Sequence, residues 1–197
     1  MTVRPFPPTD LANRNPNLTT VAAGTTIYRI YPSQFGSIYY DAGPTGRLNA
    51  PDGSYGVLYA AEARDGAFAE SFLRTVGRTA LDDELLAAKG LVTLRLQQPL
   101  SLCSLFGPGL SILGATAEVT HSGVESYDLS QTWSKALHDH PANFDGIAYR
   151  SRQDDNEICY AIFDRARTKL TISAEQVDLH QDWVWRLLTK YRVSFMA

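Results

Sequence analysis

A short apolar run handing over at once to a helical stripe constrains this chain more than any other feature. Gly56-Val57-Leu58-Tyr59-Ala60, preceded by the turn residues Asp52-Gly53-Ser54, reads as a buried strand of about five residues. From Glu62 to Val76 the apolar residues Ala63, Ala67, Phe68, Phe72, Leu73 and Val76 recur at steps of three and four. That period predicts a helix with one apolar face laid against a sheet.

Glu70 falls off the apolar stripe of this helix. Spacing alone makes it a solvated carboxylate paired with Arg74 one turn on, a contact worth about 0.2–0.5 kcal/mol. Its neighbourhood points to another role. Upstream, Tyr28-Arg29-Ile30-Tyr31-Pro32 sets an arginine inside a β-branched and aromatic run, where a charge is costly unless it meets an anion. Downstream, Phe144-Asp145-Gly146-Ile147-Ala148-Tyr149-Arg150-Ser151-Arg152 is a second turn-plus-strand unit, with a hydroxyl at the strand's end and basic residues on both sides.

Arg29, the turn Gly46-Arg47-Leu48-Asn49-Ala50-Pro51, the strand Gly56 to Ala60, Glu70, and Asp145-Gly146-Ile147-Ala148-Tyr149-Arg150-Ser151 resemble, in order and spacing, the RES domain, a family named for its arginine, glutamate and serine. The matched motifs run from residue 24 to 165 within a domain expected over 24–197, and residues 1–23 are Pro- and Asn-rich and read as an extended N-terminal arm. The resemblance implies an α+β (mixed α/β) single domain, a central mixed sheet flanked by helices, similar to ADP-ribosyltransferases. It implies a bacterial toxin that degrades NAD, neutralised by an Xre-type helix-turn-helix antitoxin. Position by position, the family triad becomes Arg29, Glu70 and Ser151, with Arg47, Tyr59 and Tyr39 as NAD-binding residues. Many relatives carry an aromatic residue where this chain has Leu48.

Composition narrows the setting. Hydrophobic content of 44% and charged content of 20% over 197 residues are those of one globular domain. No apolar run approaches a membrane span, and Met1-Thr2-Val3-Arg4-Pro5-Phe6-Pro7-Pro8 lacks a signal-peptide core, so a cytoplasmic protein without membrane partners is expected. Cys103 and Cys159 form neither a disulfide framework nor a zinc motif, and His138 with His140 lack a third ligand, so no metal is expected. A net charge of −3 argues against nucleic acid as a partner. Arg29, Arg47, Arg150 and Arg152 near the motifs suit a small anionic ligand, although Arg150 and Arg152 read equally well as surface arginines.

Further along, Thr79 to Leu86 opens a second helix with Gly90 past its end, Val92, Leu94 and Leu96 alternate as a strand, and 100–123 resists assignment apart from a possible short strand at Glu118 to His121. Ser126 to His138 reads as a helix capped by Asp128 or Ser130. Ile147 to Tyr149 and Ile158 to Phe163 read as a hairpin, Lys169 to Ser173 as a strand, Gln181 to Lys190 as a helix, and Tyr191 to Phe195 as an edge strand.

The chemistry suits these side chains. Cleaving the N-glycosidic bond of NAD builds positive charge on the ribose, which a fixed carboxylate stabilises, the role expected of Glu70. Arginine forks clamp phosphate oxygens, the role of Arg29 and Arg47. Tyr59 serves either as a stacking surface for nicotinamide or as a core tyrosine. Ser151 sits in no nucleophile elbow, so its hydroxyl is expected to donate to phosphate or ribose. With no Gly-x-Gly-x-x-Gly after a strand, NAD enters as a consumed substrate, with no resident cofactor. Hydrolysis or phosphorolysis of NAD, transfer of ADP-ribose to a protein, and a non-enzymatic interaction module all stay open at this level.

Overall fold

The computed structural model describes residues 4–75 and 77–196. The described residues form ten strands and six α-helices: β1 (Leu18–Val21), β2 (Thr26–Pro32), β3 (Val57–Ala61), α1 (Arg64–Phe72), β4 (Ala80–Asp82), α2 (Asp83–Ala87), β5 (Lys89–Leu96), β6 (Leu100–Leu105), α3 (Pro108–Leu113), α4 (Glu118–His121), α5 (Tyr127–His138), β7 (Gly146–Arg150), β8 (Ile158–Phe163), β9 (Leu170–Gln176), α6 (Asp182–Tyr191) and β10 (Ser194–Met196). Eight strands form one mixed sheet in the order β1-β6-β7-β8-β3-β2-β5-β9, and β10 pairs with β4 in a small parallel ribbon. Within the large sheet only β6 and β7 run parallel; the rest is antiparallel. This is the expected mixed α/β domain.

The sheet is apolar on both faces. On one, Val57, Ala61, Ile147, Tyr149, Cys159, Ala161 and Phe163 meet Phe68 and Phe72 of α1, Trp133 and Leu137 of α5, and Trp183, Val184, Leu187 and Leu188 of α6. On the other, Ile27, Leu58, Leu94, Leu102, Tyr160 and Ile162 close a second core. Fully burying side chains of this size stabilises by about 1.5–3 kcal/mol each. The tail tryptophans therefore belong to the core; Trp185 and Phe195 pack edge to face at 5.0 Å against it.

Several elements depart from their sequence reading. The helix of Glu70 is shorter at both ends, Arg64–Phe72, and Val76 lies outside the described residues. Thr79 to Asp82 is largely strand, because the helix starts only where the Asp82 carboxylate accepts the Leu85 N–H at 2.7 Å as its cap. Residues 100–105 form β6, whose near-continuous burial erases the alternation that marks a strand exposed on one side. Glu118–His121 is the short helix α4 and not a strand; its β-branched Val119 and Thr120 are turned into the core. Neither Asp128 nor Ser130 caps α5: Asp128 receives both Nη atoms of Arg4 at 2.7 and 2.9 Å, and Ser130 hydrogen-bonds Ser122 at 2.7 Å.

Residues 4–23 lie across the body. The Trp133 indole donates to the Pro5 carbonyl at 2.6 Å, Leu11 is buried, and Leu18–Val21 adds β1 as an edge strand beside β6. His138 stacks on Tyr55 with ring centroids 3.9 Å apart, and His140 takes the Ala142 N–H on Nδ1.

Candidate functional site

The site forms where the sheet comes apart. β3 is laddered to β8 along its whole length, yet it pairs with β2 only at Tyr28↔Ala61, and its other end bridges to Asp41 through Val57. Between those points the Tyr59 carbonyl has no strand partner. Arg29 supplies one: its Nη1 donates to that carbonyl at 2.9 Å, while its Nε is buried with no partner among the described residues. Burial draws the Arg29 pKa down, as expected for a desolvated cation short of an anion. Over this gap lies a cavity of about 280 Å³, near the lower end of the ~300–1,000 Å³ usual for small-molecule sites.

One wall of the cavity is α1. Glu70, near its C-terminal end, is half-buried and lines the cleft. Its Oε1 accepts the Ser151 hydroxyl at 2.7 Å and the Arg152 backbone N–H at 3.1 Å. Among the described residues both hydrogen bonds fall on Oε1, which leaves Oε2 for a ligand. Ser151 is wholly buried and lies behind the carboxylate, outside the cavity lining. Its hydroxyl also accepts the Gln153 N–H at 3.2 Å, and its own N–H donates to the Glu157 carbonyl at 2.9 Å. A serine hydroxyl has one proton, and here it goes to Glu70. Ser151 thus holds the Glu70 carboxylate from behind.

The facing wall is the turn after β2. Gly46 sits where a Cβ would collide with the Asn49 amide folded over it. Asn49 is fully buried and its amide is engaged throughout: Oδ1 accepts the Tyr59 hydroxyl at 2.9 Å, and Nδ2 donates to Asp41 at 2.9 Å and to the Gly43 carbonyl at 2.7 Å. The Tyr59 hydroxyl in turn accepts the Leu48 N–H at 2.8 Å. Burial raises the Tyr59 pKa, so the phenol keeps the proton that it donates. The Tyr59 ring is half-buried, packs against the core and also lines the cavity, which joins the two readings of it. Arg47, 9% exposed, donates from Nη1 to the Thr120 carbonyl of α4, while its Nε has no partner among the described residues.

The four arginines near the motifs divide into two pairs. Arg29 and Arg47 line the cavity; Arg150 and Arg152 do not. Arg150 closes the turn before β8 by donating to the Asp155 and Asn156 carbonyls, and the Arg152 guanidinium donates to the Ser122 carbonyl. Two cations not singled out for the site, Arg74 and Lys89, stand in the lining. Arg74 turns away from Glu70 to the Tyr127 hydroxyl at 3.0 Å and the Thr45 carbonyl at 3.3 Å, so the helical ion pair suggested by spacing does not form. Burial lowers the Lys89 pKa, with Arg74 and Arg29 adding to the effect by their charge, which places the three in one electrostatic neighbourhood. None of these four cations is in an ion pair among the described residues. Tyr39 is 42% exposed, lines the cavity and stacks on Phe35 at 5.2 Å between centroids. Asn49, Tyr127 and Tyr149 also belong to the site or its frame, and no periodicity in the sequence marks them.

The arrangement is thus a cleft with an anchored carboxylate in one wall, unpaired guanidinium and ammonium groups in the others, and aromatic rings between. The RES domain family model matches residues 26–185. No curated protein sequence matches the chain. Among solved structures it is similar to a chain of the crystal structure of the M. tuberculosis MbcT-MbcA toxin-antitoxin complex, with a TM-score of 0.62 and 15% identity over 88% of this chain and 91% of that one. With most of its length covered by the family model, this chain belongs to the RES domain family.

Proposed function

We propose that the chain is the toxin of a toxin–antitoxin pair and that it destroys NAD by cleaving the bond between nicotinamide and ribose. The observation that carries this reading is the anchored carboxylate: Glu70 Oε1 is fixed by Ser151 and the Arg152 N–H in the wall of a cleft lined by Arg29 and Arg47. Nicotinamide leaves as a neutral base, so the charge to be stabilised in the transition state is positive and sits on the ribose. A carboxylate already immobilised beside that ribose needs no reorganisation as the charge develops. Oε2 faces the C1′ region or a ribose hydroxyl, and the guanidinium groups hold the pyrophosphate at two points each. The Tyr59 ring, its hydroxyl tied down by Leu48 and Asn49, offers a flat surface to the departing ring.

The neighbouring fold in a toxin–antitoxin complex supports an antitoxin partner, and the family resemblance favours one of the Xre helix-turn-helix type. Such a partner silences the chain by closing the cleft or displacing its ligand. No helix among the described residues is long and apolar enough to cross a membrane.

The test is to incubate the purified chain with NAD and follow free nicotinamide. The reading expects stoichiometric nicotinamide, with the ribosyl fragment recovered as ADP-ribose or its phosphate ester. Nicotinamide release with radiolabel retained on protein would favour transfer of ADP-ribose to a protein acceptor through the same cleft. Intact NAD, together with normal growth of cells expressing the chain alone, would leave only a non-enzymatic interaction module.

A further inference from the structure

The core contains an unexplained polar face. On α5 the side chains of Ser130, Gln131 and Ser134 are 0–8% exposed, although nothing in a helix core requires them to be polar. Buried amides and hydroxyls persist when each finds partners, and the identity of those partners shows what they hold. The Gln131 amide donates from Nε2 to the Pro44 carbonyl at 2.8 Å and to the Gly46 carbonyl at 3.0 Å. The Ser134 hydroxyl donates to the Leu48 carbonyl at 2.6 Å. Since that uses its one proton, the 2.8 Å contact between Ser134 and Tyr55 is the Tyr55 phenol donating to Ser134. Three alternate carbonyls, those of residues 44, 46 and 48, are therefore fixed on one helix face, and Arg47 lies between the last two.

We propose that Gln131 and Ser134 are positioning residues that set the orientation of Arg47 toward the anionic part of the ligand. The inference rests on reading Arg47 as an anion clamp. An arginine binds phosphate in two-point fashion only when its backbone is placed to within a fraction of an ångström. The turn that carries Arg47 belongs to no strand or helix, so a regular ladder does not place it. α5 supplies the missing reference, acting through the carbonyls on either side of Arg47 and not through the guanidinium itself. Thr120 of α4 then catches the side chain at Nη1.

The test measures binding of ADP and of adenosine to the full chain and to Gln131→Leu, Ser134→Ala and Thr132→Ala, with a thermal melt of each. Thr132 lies on the exposed side of the same helix and serves as the control. The ratio of ADP to adenosine affinity should fall about tenfold in Gln131→Leu and somewhat less in Ser134→Ala, the scale of one charge-assisted hydrogen bond. It should be unchanged in Thr132→Ala. A general loosening of the cleft would weaken both probes alike and leave the ratio where it was, which would overturn the positioning role. An unaltered ratio in a folded Ser134→Ala would overturn it too should Gln131→Leu not fold. If the unaltered chain prefers ADP no more than adenosine, the clamp reading of Arg47 falls and the inference with it.

Discussion

The two edges of β3 have opposite fates. One edge is zipped to β8 from Val57↔Phe163 to Ala61↔Cys159, a ladder buried between the two cores of the sheet. The other edge touches β2 at Tyr28↔Ala61 and then parts from it, and the gap is filled by the Arg29 guanidinium and a cavity. Stability is concentrated on the closed edge and ligand-binding groups on the open one, within a strand five residues long. An unzipped strand presents carbonyls and N–H groups that need partners. Here a cation already drawn down in pKa by burial takes one of them and keeps another donor unsatisfied. The gap is thus both a weakness of the sheet and a site that gains from a ligand.

Substitutions on the two edges separate these roles. The largest expected effect is on the closed edge: Phe163→Ala should lower stability in denaturant titration by about 3–5 kcal/mol, while NAD turnover per folded molecule persists. An equal loss of turnover at low temperature would break the division. On the open edge, Arg29→Met removes both the partner of the Tyr59 carbonyl and one of the two proposed phosphate clamps, so ADP affinity measured by calorimetry should fall about 30- to 100-fold, the worth of a charged hydrogen bond. Tyr59→Phe keeps the ring and frees the Leu48 N–H and the Asn49 amide. Its expected cost is about 1 kcal/mol of binding or stability, so a null effect on both would show that the phenol network is idle.

The smallest effect concerns pH and lies on the closed side. Burial holds the His138 pKa below the ordinary 6.5, against the pull of Asp139 in the opposite direction. As pH falls below 6.5 the unfolded chain takes up a proton that the folded ring resists, so stability declines from there down to the lower native pKa and then levels off. The melting temperature should drop across that window by less than about 3 °C, and His138→Gln should flatten the decline. A steeper fall that survives His138→Gln would assign the acid sensitivity to other groups.

Much of this was legible in one dimension because periodicity reports local burial. The β3–α1 unit, the β7–β8 hairpin and α6 follow from short apolar runs bounded by turn residues and from helical stripes. β6 is hard to read because its apolar run lies between Pro99 and the breakers Gly107-Pro108-Gly109, and α4 because four residues carry too little period. At the site, Arg29, Arg47, Tyr59 and Glu70 were named from family motifs, and the structure brings all four to one cavity. Lys89 carries no signal along the chain that sets it apart from a solvated surface residue, and Arg74 reads there only as the helical partner of Glu70. Lys89 begins β5 and Arg74 follows α1, and the fold brings both into the lining of one cavity. Gln131 was invisible for the same reason: its partners lie some 85 residues away, at Pro44 and Gly46. Ser151 meets the Glu70 carboxylate only in three dimensions, since a hydroxyl's target depends on which atom folding places within reach.

Glu70, anchored in the wall of the cleft formed by α1, is proposed to stabilise the positive charge that forms when NAD is cleaved. The most direct test is Glu70→Gln, in which NAD binding and nicotinamide release are measured on the same preparation. The variant should bind NAD within about threefold of the unaltered chain and release nicotinamide about a thousandfold more slowly, the scale of removing one preorganised electrostatic group. Release at the original rate with unchanged affinity would contradict that proposal.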